Sequence, residues 1–202
     1  QFLNVYLLVS IFSTLDIFAL DTIFAVLLIG ASSGYSGITL AHEFIHRRSA
    51  FYKLVGRALL VSTFYEHFHT EHLRGHHVKV ATESDPATAK FGDSFWPFYF
   101  RTVPAQFKSA WNIERKRLGD ENMSLLDTRT FNNHVFQGMA AQLLLSLIIF
   151  VSFGGFSLVL FLLQAIFASR LLEIVNYFEH WGLTRAKDRV QPEDSWDTHS
   201  WF

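Results

Sequence analysis

Cysteine is absent from the 202 residues, and charged residues make up only 17%. Without thiols there is no disulfide, no zinc–thiolate or iron–sulfur site, and no thiolate-ligated haem. A net charge of −1 offers no broad basic face, so nucleic acid is not an expected partner. What abounds is apolar: half the residues are hydrophobic, 16% are aromatic and 22 are Phe. A soluble domain needs a more polar surface than this, so the long apolar runs are read as lipid-facing. The chain opens inside an apolar run, without Met and without a signal-peptide pattern, and is expected to be a piece of a longer protein.

The hydrophobic pattern predicts an all-α fold, a polytopic transmembrane helical bundle forming one membrane-embedded domain over residues 1–202. Crossing a bilayer core takes ~20 helical residues. Phe2 to Phe12 is too short for that and reads as the end of a span. Thr22 to Ala41 is a full span. Its Gly30 and Gly34, like Ser33 and Gly37, stand four apart on faces where a neighbouring helix can approach closely. His134 to Phe153 and Phe156 to Val175 form a second pair of spans, with Gly154 and Gly155 as the turn between them. Phe51 to His77, with only Ala58 to Tyr65 free of charge, reads as an amphipathic helix at the interface. Residues 42–133 hold 13 of the 17 basic residues. The positive-inside rule therefore places that loop and the tail after the last span in the cytoplasm.

The histidines carry the chemistry. His42 and His46 are four apart, as are His72 and His76, with His77 adjacent. On a helix such pairs project from one face. His180 ends the last span on the same predicted membrane side. Imidazoles in this number suit Fe, Zn, Cu or Ni rather than Mg or Ca. Glu173 and Asn176 precede His180 on the same helical face. Such an acid inside a span is either a partner that orients a metal ligand or the ion-pair partner of Arg170.

Three stretches together resemble a known family. His42-Glu-Phe-Ile-His46, Glu71-His-Leu-Arg-Gly-His-His77 followed by Val80-Ala-Thr-Glu-Ser-Asp-Pro86, and Asn176-Tyr-Phe-Glu-His-Trp-Gly182 are similar to the membrane alkane monooxygenases, kin of the xylene and cymene methyl hydroxylases. The resemblance runs from about Thr22 onward. It implies a bacterial-type inner-membrane, multi-pass enzyme that hydroxylates an apolar hydrocarbon with O2. It also implies two non-haem Fe ions on the cytoplasmic side and a rubredoxin- or ferredoxin-type electron donor. The matching positions make His42, His46, His72, His76, His77 and His180 the implied iron ligands. Ile45 and Arg47 depart from the alkane branch toward the aryl-methyl branch, and Trp181 stands where Tyr is usual. The family's last histidine cluster is expected beyond Phe202, because six histidines are too few for two irons.

Two other enzyme readings share these residues. A desaturase-like lipid oxidase uses the same metal chemistry. An intramembrane zinc protease would use His42-Glu43-Phe44-Ile45-His46 with Glu43 as general base, but the remaining histidines exceed its three protein ligands. A non-catalytic metal-binding membrane protein is the third alternative. His67 and His69 read as interfacial or as partners of the ligands, His134 as interfacial, and His199 as no ligand. Trp96, Trp111 and the aromatics from Phe91 to Phe107 read as an interface belt. Arg115, Lys116 and Arg117 form a basic patch suited to lipid headgroups or an acidic electron-transfer partner.

Overall fold

A computed structural model describes residues 6, 20–185 and 189–196. The expected span remnant from Phe2 to Phe12 (Tyr6 apart) and His199 lie outside the described residues. Helix accounts for the regular structure, with no strand among the described residues. Among the described residues, two helices are long and apolar enough to cross a membrane: α1, Leu20–Ile45, and the 47-residue helix His134–His180. Both expose large apolar side chains, among them Phe24, Leu28, Leu144 and Val151. Exposed apolar surface on this scale suits lipid. By packing, the chain divides into two compact units, residues 1–66 with 136–171, and residues 67–135 with 172–202.

In the first unit, α1 runs on through a π-helical segment, Ser33–Ile38, into Thr39–Ile45. Its small residues permit close packing. A Cβ on Gly30 would lie 2.9 Å from Phe167 Cβ, and one on Gly34 would lie 2.9 Å from Leu171 Cδ1. The long helix breaks at Gly154, where φ is 84° and ψ is 172°, as the Gly-Gly pair predicts. The two limbs share a core, in which Ile149, Leu160 and Phe161 pack with Val26. Helix α2, Ala50–Ser62, buries Gly56, Leu59 and Leu60. A Cβ on Gly56 would lie 2.9 Å from Ile45 Cγ2 and 3.1 Å from the Ala41 carbonyl. The predicted interfacial helix does not continue past this point. The Tyr65 amide donates back to the Leu60 carbonyl at 2.9 Å, and Phe64 adopts a φ of 56°. That left-handed residue ends the helix, and the buried Glu66 that follows pairs with the half-buried Arg57.

The second unit begins with a short helix, α3, Phe68–Glu71, followed by a π-helical turn, His72–His76, and a last turn, α4, His77–Lys79. Helix α5, Phe95–Arg117, presents Phe98, Thr102, Gln106, Ala110 and Glu114 as a buried stripe. The spacing of four gives one inward face, three residues of which are polar. Polar groups so placed need partners, and each has one. Thr102 bonds the Pro86 carbonyl, and Gln106 donates to Glu173. Glu114 accepts from Arg74 at 3.1 Å, Arg117 at 2.7 Å and the His134 amide at 2.9 Å. Burial pushes the Glu114 carboxyl up, but the hydrogen bonds from Arg117 and the His134 backbone outweigh it and hold it below the ordinary value. The helix His134–His180, α6 here, brings its last turn into this unit.

Candidate metal centre

Each unit contributes its own group of histidines. In the first, His42 and His46 lie one turn apart at the end of α1, as their spacing predicts. Their Nε2 atoms are 3.3 Å apart and their rings meet edge-on at 4.7 Å. In the second unit the π-helical turn alters the expected pairing. The His77 amide donates to the His72 carbonyl, five residues back. A π turn sets residues i and i+5 side by side, so His72 and His77 become the close pair, Nε2 to Nε2 at 2.9 Å. His76 stacks beside His72 with ring centres 5.6 Å apart, and the His180 ring lies 4.7 Å from that of His76. His72, His76 and His180 are buried, whereas His77 is exposed.

Two of these rings are held from behind. His76 Nδ1 lies 2.9 Å from the Asp85 carboxylate, which also accepts from the Thr88 hydroxyl at 2.6 Å and the Ala87 amide at 3.2 Å. Burial lowers the basicity of His76, but its hydrogen bond and charge attraction to Asp85 prevail and raise its pKa. His180 Nδ1 faces the Asp194 carbonyl at 3.4 Å. The tail reaches this position because the Trp196 amide donates to the Glu179 carbonyl at 2.8 Å. With Nδ1 engaged on both rings, Nε2 is the nitrogen left for a metal, the usual arrangement around a ligating histidine. The opposed Nε2 atoms of each close pair need a proton or a cation between their lone pairs. Each pair is compact enough to share a metal ion. The donor set therefore fits a nitrogen-loving transition metal.

Other residues take definite places. Glu173, fully buried, accepts from Gln106 Nε2 at 3.0 Å on both oxygens and from Asn176 Nδ2 at 3.2 Å. Glu71 is buried beside Gly75, where any Cβ would collide with its carboxylate. Burial, and then the nearby Asp85 charge, push the Glu71 carboxyl up to about 7. His67 is buried with its ring against Phe107, and burial lowers its pKa to about 4, which leaves it neutral. The His134 ring stands 3.6 Å from Glu114, an attachment to α5 rather than to the metal group. The Arg115 to Arg117 patch is partly spent internally. Arg117 grips Glu114, Arg115 lies over Trp111, and Lys116 pairs with Glu121. Sequence spacing did not single out Asp85, Asp194 or Gln106. Asp85 left a trace inside the motif that follows the second histidine cluster, and Asp194 opens a stretch that resembles the family's segment before its last histidine cluster.

Residues 20–202 match the fatty acid desaturase family model. Alkane 1-monooxygenase 2 of Pseudomonas aeruginosa is 35% identical over 180 residues, covering 86% of this chain and 47% of the relative. Alkane 1-monooxygenase 1 of the same species is 37% identical over 177 residues, covering 87% of this chain and 46% of the relative. The xylene/toluene monooxygenase hydroxylase component XylM of Pseudomonas putida is 30% identical over 161 residues, covering 78% of this chain and 42% of the relative. The chain thus spans about half the length of the relatives it matches. It belongs to the fatty acid desaturase family, and within that family it is similar to the alkane 1-monooxygenases and to XylM.

Proposed function

We propose that this protein is a multi-pass membrane monooxygenase that hydroxylates an apolar hydrocarbon, either the terminal carbon of an alkane or an aryl methyl group. Two non-haem irons are held by His42, His46, His72, His76, His77 and His180 on the cytoplasmic side, within one membrane-embedded domain. The observation that carries this reading is the group His72, His76, His77 and His180, two of whose rings have Nδ1 engaged. Similarity to alkane 1-monooxygenases supports it. Bound iron would supply dioxygen activation and C–H oxidation. Each turnover converts R–H, O2, two electrons and two protons into R–OH and water, so a reductant must reach the centre. A rubredoxin- or ferredoxin-type protein fills that role.

The residues themselves orient and insulate. Asp85 and the Asp194 carbonyl fix the tautomers of His76 and His180. Glu173, held by Gln106 and Asn176, places a further negative charge near His76. A desaturase-like oxidase is the second reading, and the family model that the chain matches favours it. Membranes carrying the complete protein, given a reduced donor, 18O2 and either octane, a xylene or an acyl lipid, separate the two. Alcohol containing 18O, with near two irons per chain, is the expected result. An alkene without label would replace the hydroxylase by the desaturase, and one zinc with proteolysis would overturn both.

A further inference from the structure

A cleft of the second unit, about 1040 Å³, is lined mostly by residues that do not touch the metal group. Its wall carries Lys79, Lys90, Arg101, Lys108, Arg115 and Lys116 against Glu83, Asp85 and Glu121, six basic groups to three acidic ones. Arg101 pairs with Asp93 and Lys116 with Glu121. Lys79 lies within charge range of Glu71, whereas Lys90, Lys108 and Arg115 form no ion pair with a carboxylate among the described residues. Lys90 and Lys108 are exposed, as is Phe91, an apolar side chain on the rim. The inner wall includes Thr88 and Asp85. The Asp85 carboxylate that borders the cleft is the one that holds His76 Nδ1 at 2.9 Å. One hydrogen bond therefore separates the cleft wall from an imidazole of the metal group.

We propose that this cleft is the docking site of the electron donor, and that the donor is a small acidic redox protein whose carboxylates meet Lys90, Lys108 and Arg115 around Phe91. Surplus positive charge in a concave site steers an anionic partner and concentrates its encounters there. An exposed aromatic inside a charged rim is the usual make-up of a protein contact. Transient redox complexes use small, electrostatically matched interfaces of this kind. A lipid headgroup would be drawn by the same charge, but it has no use for a wall one hydrogen bond from a metal ligand. The inference rests on the monooxygenase reading for the donor's role, while its test reads binding directly.

The test uses the complete, iron-loaded protein in nanodiscs and an acidic rubredoxin as the probe. Lys90→Glu and Lys108→Glu together are expected to weaken rubredoxin binding ~10-fold or more at low salt and to flatten its salt dependence. The KM for rubredoxin should rise in parallel, with the rate at saturating donor changed less than about twofold. Lys53→Glu, an exposed lysine of the first unit, serves as the control and should change neither quantity. Unchanged rubredoxin affinity in the double variant would overturn the proposal. So would lost binding to phosphatidylserine vesicles with rubredoxin affinity intact, which would assign the cleft to lipid. Tight, charge-dependent binding without any hydroxylation would sink the monooxygenase reading and leave the docking site standing.

Discussion

Replacing Asp85 by Asn isolates the orientation of His76. The native carboxylate receives three donors: the His76 ring at 2.9 Å and the Thr88 hydroxyl at 2.6 Å on one oxygen, and the Ala87 amide at 3.2 Å on the other. Asn keeps the shape but has only one acceptor oxygen. Whichever way the amide is turned, an NH2 group faces a donor that the carboxylate had satisfied. Leaving a buried donor unmatched, or losing a charge-assisted bond, costs about 1–3 kcal/mol. Since about 1.4 kcal/mol is tenfold, iron should be held ~10–100-fold more weakly, the usual effect of removing a partner behind a ligating histidine. The assay is iron retention by the complete protein against a graded series of chelators, with thermal unfolding followed in parallel. Thr88→Val removes a bond to the same carboxylate without touching His76, and should weaken iron binding less than about threefold. Wild-type iron affinity in Asp85→Asn would refute the reasoning. Equal losses in both variants would also refute it, because the carboxylate would then be holding the loop rather than the ring.

Two further predictions concern stability. Gly30→Ala should destabilise the first unit: the clash with Phe167 costs about 1–3 kcal/mol against a gain in helix propensity of up to about 1 kcal/mol. Gly155→Ala, whose Cβ would meet Phe150 only at 3.6 Å, should be neutral, and melting curves in detergent check both. The depressed pKa of Glu114 means that its ion pairs stabilise the fold above the ordinary carboxyl value near 4.5 and lose that contribution as pH falls through the lower folded value. Glu114→Gln should therefore remove about 1–3 kcal/mol at pH 7 and flatten the acid limb of a stability–pH titration.

Much of this was legible in the sequence because it follows from local periodicity. The two long apolar helices, the break at Gly154 and the one-turn pairing of His42 with His46 depend only on residues near one another in the chain. The stop after Ser62 was not legible, since Phe64 is an ordinary apolar residue whose type gives no sign of the positive φ it adopts. Gln106 was hidden for a different reason. It belongs to a helix whose composition reads as an aromatic belt, and only packing turns it onto Glu173, 67 residues away.

The second histidine cluster marks the boundary between these cases. Spacing alone pairs His72 with His76, because four residues make about one α-helical turn. The π turn substitutes His77 as the close partner and leaves His76 to approach His180 instead. Nothing in the residue types dictates that extra residue per turn. What accommodates it is Gly75: in the folded chain a Cβ there would collide with Glu71 and come within 3.2 Å of Ile113. The sequence thus named the ligand candidates by type and number, but which nitrogen each presents is decided by the Asp85 carboxylate 9 residues from His76 and the Asp194 carbonyl 14 residues from His180. Ligand identity is a property of a short motif. Ligand orientation is a property of the loops that return to it, and loop return is the part of a fold that periodicity does not encode.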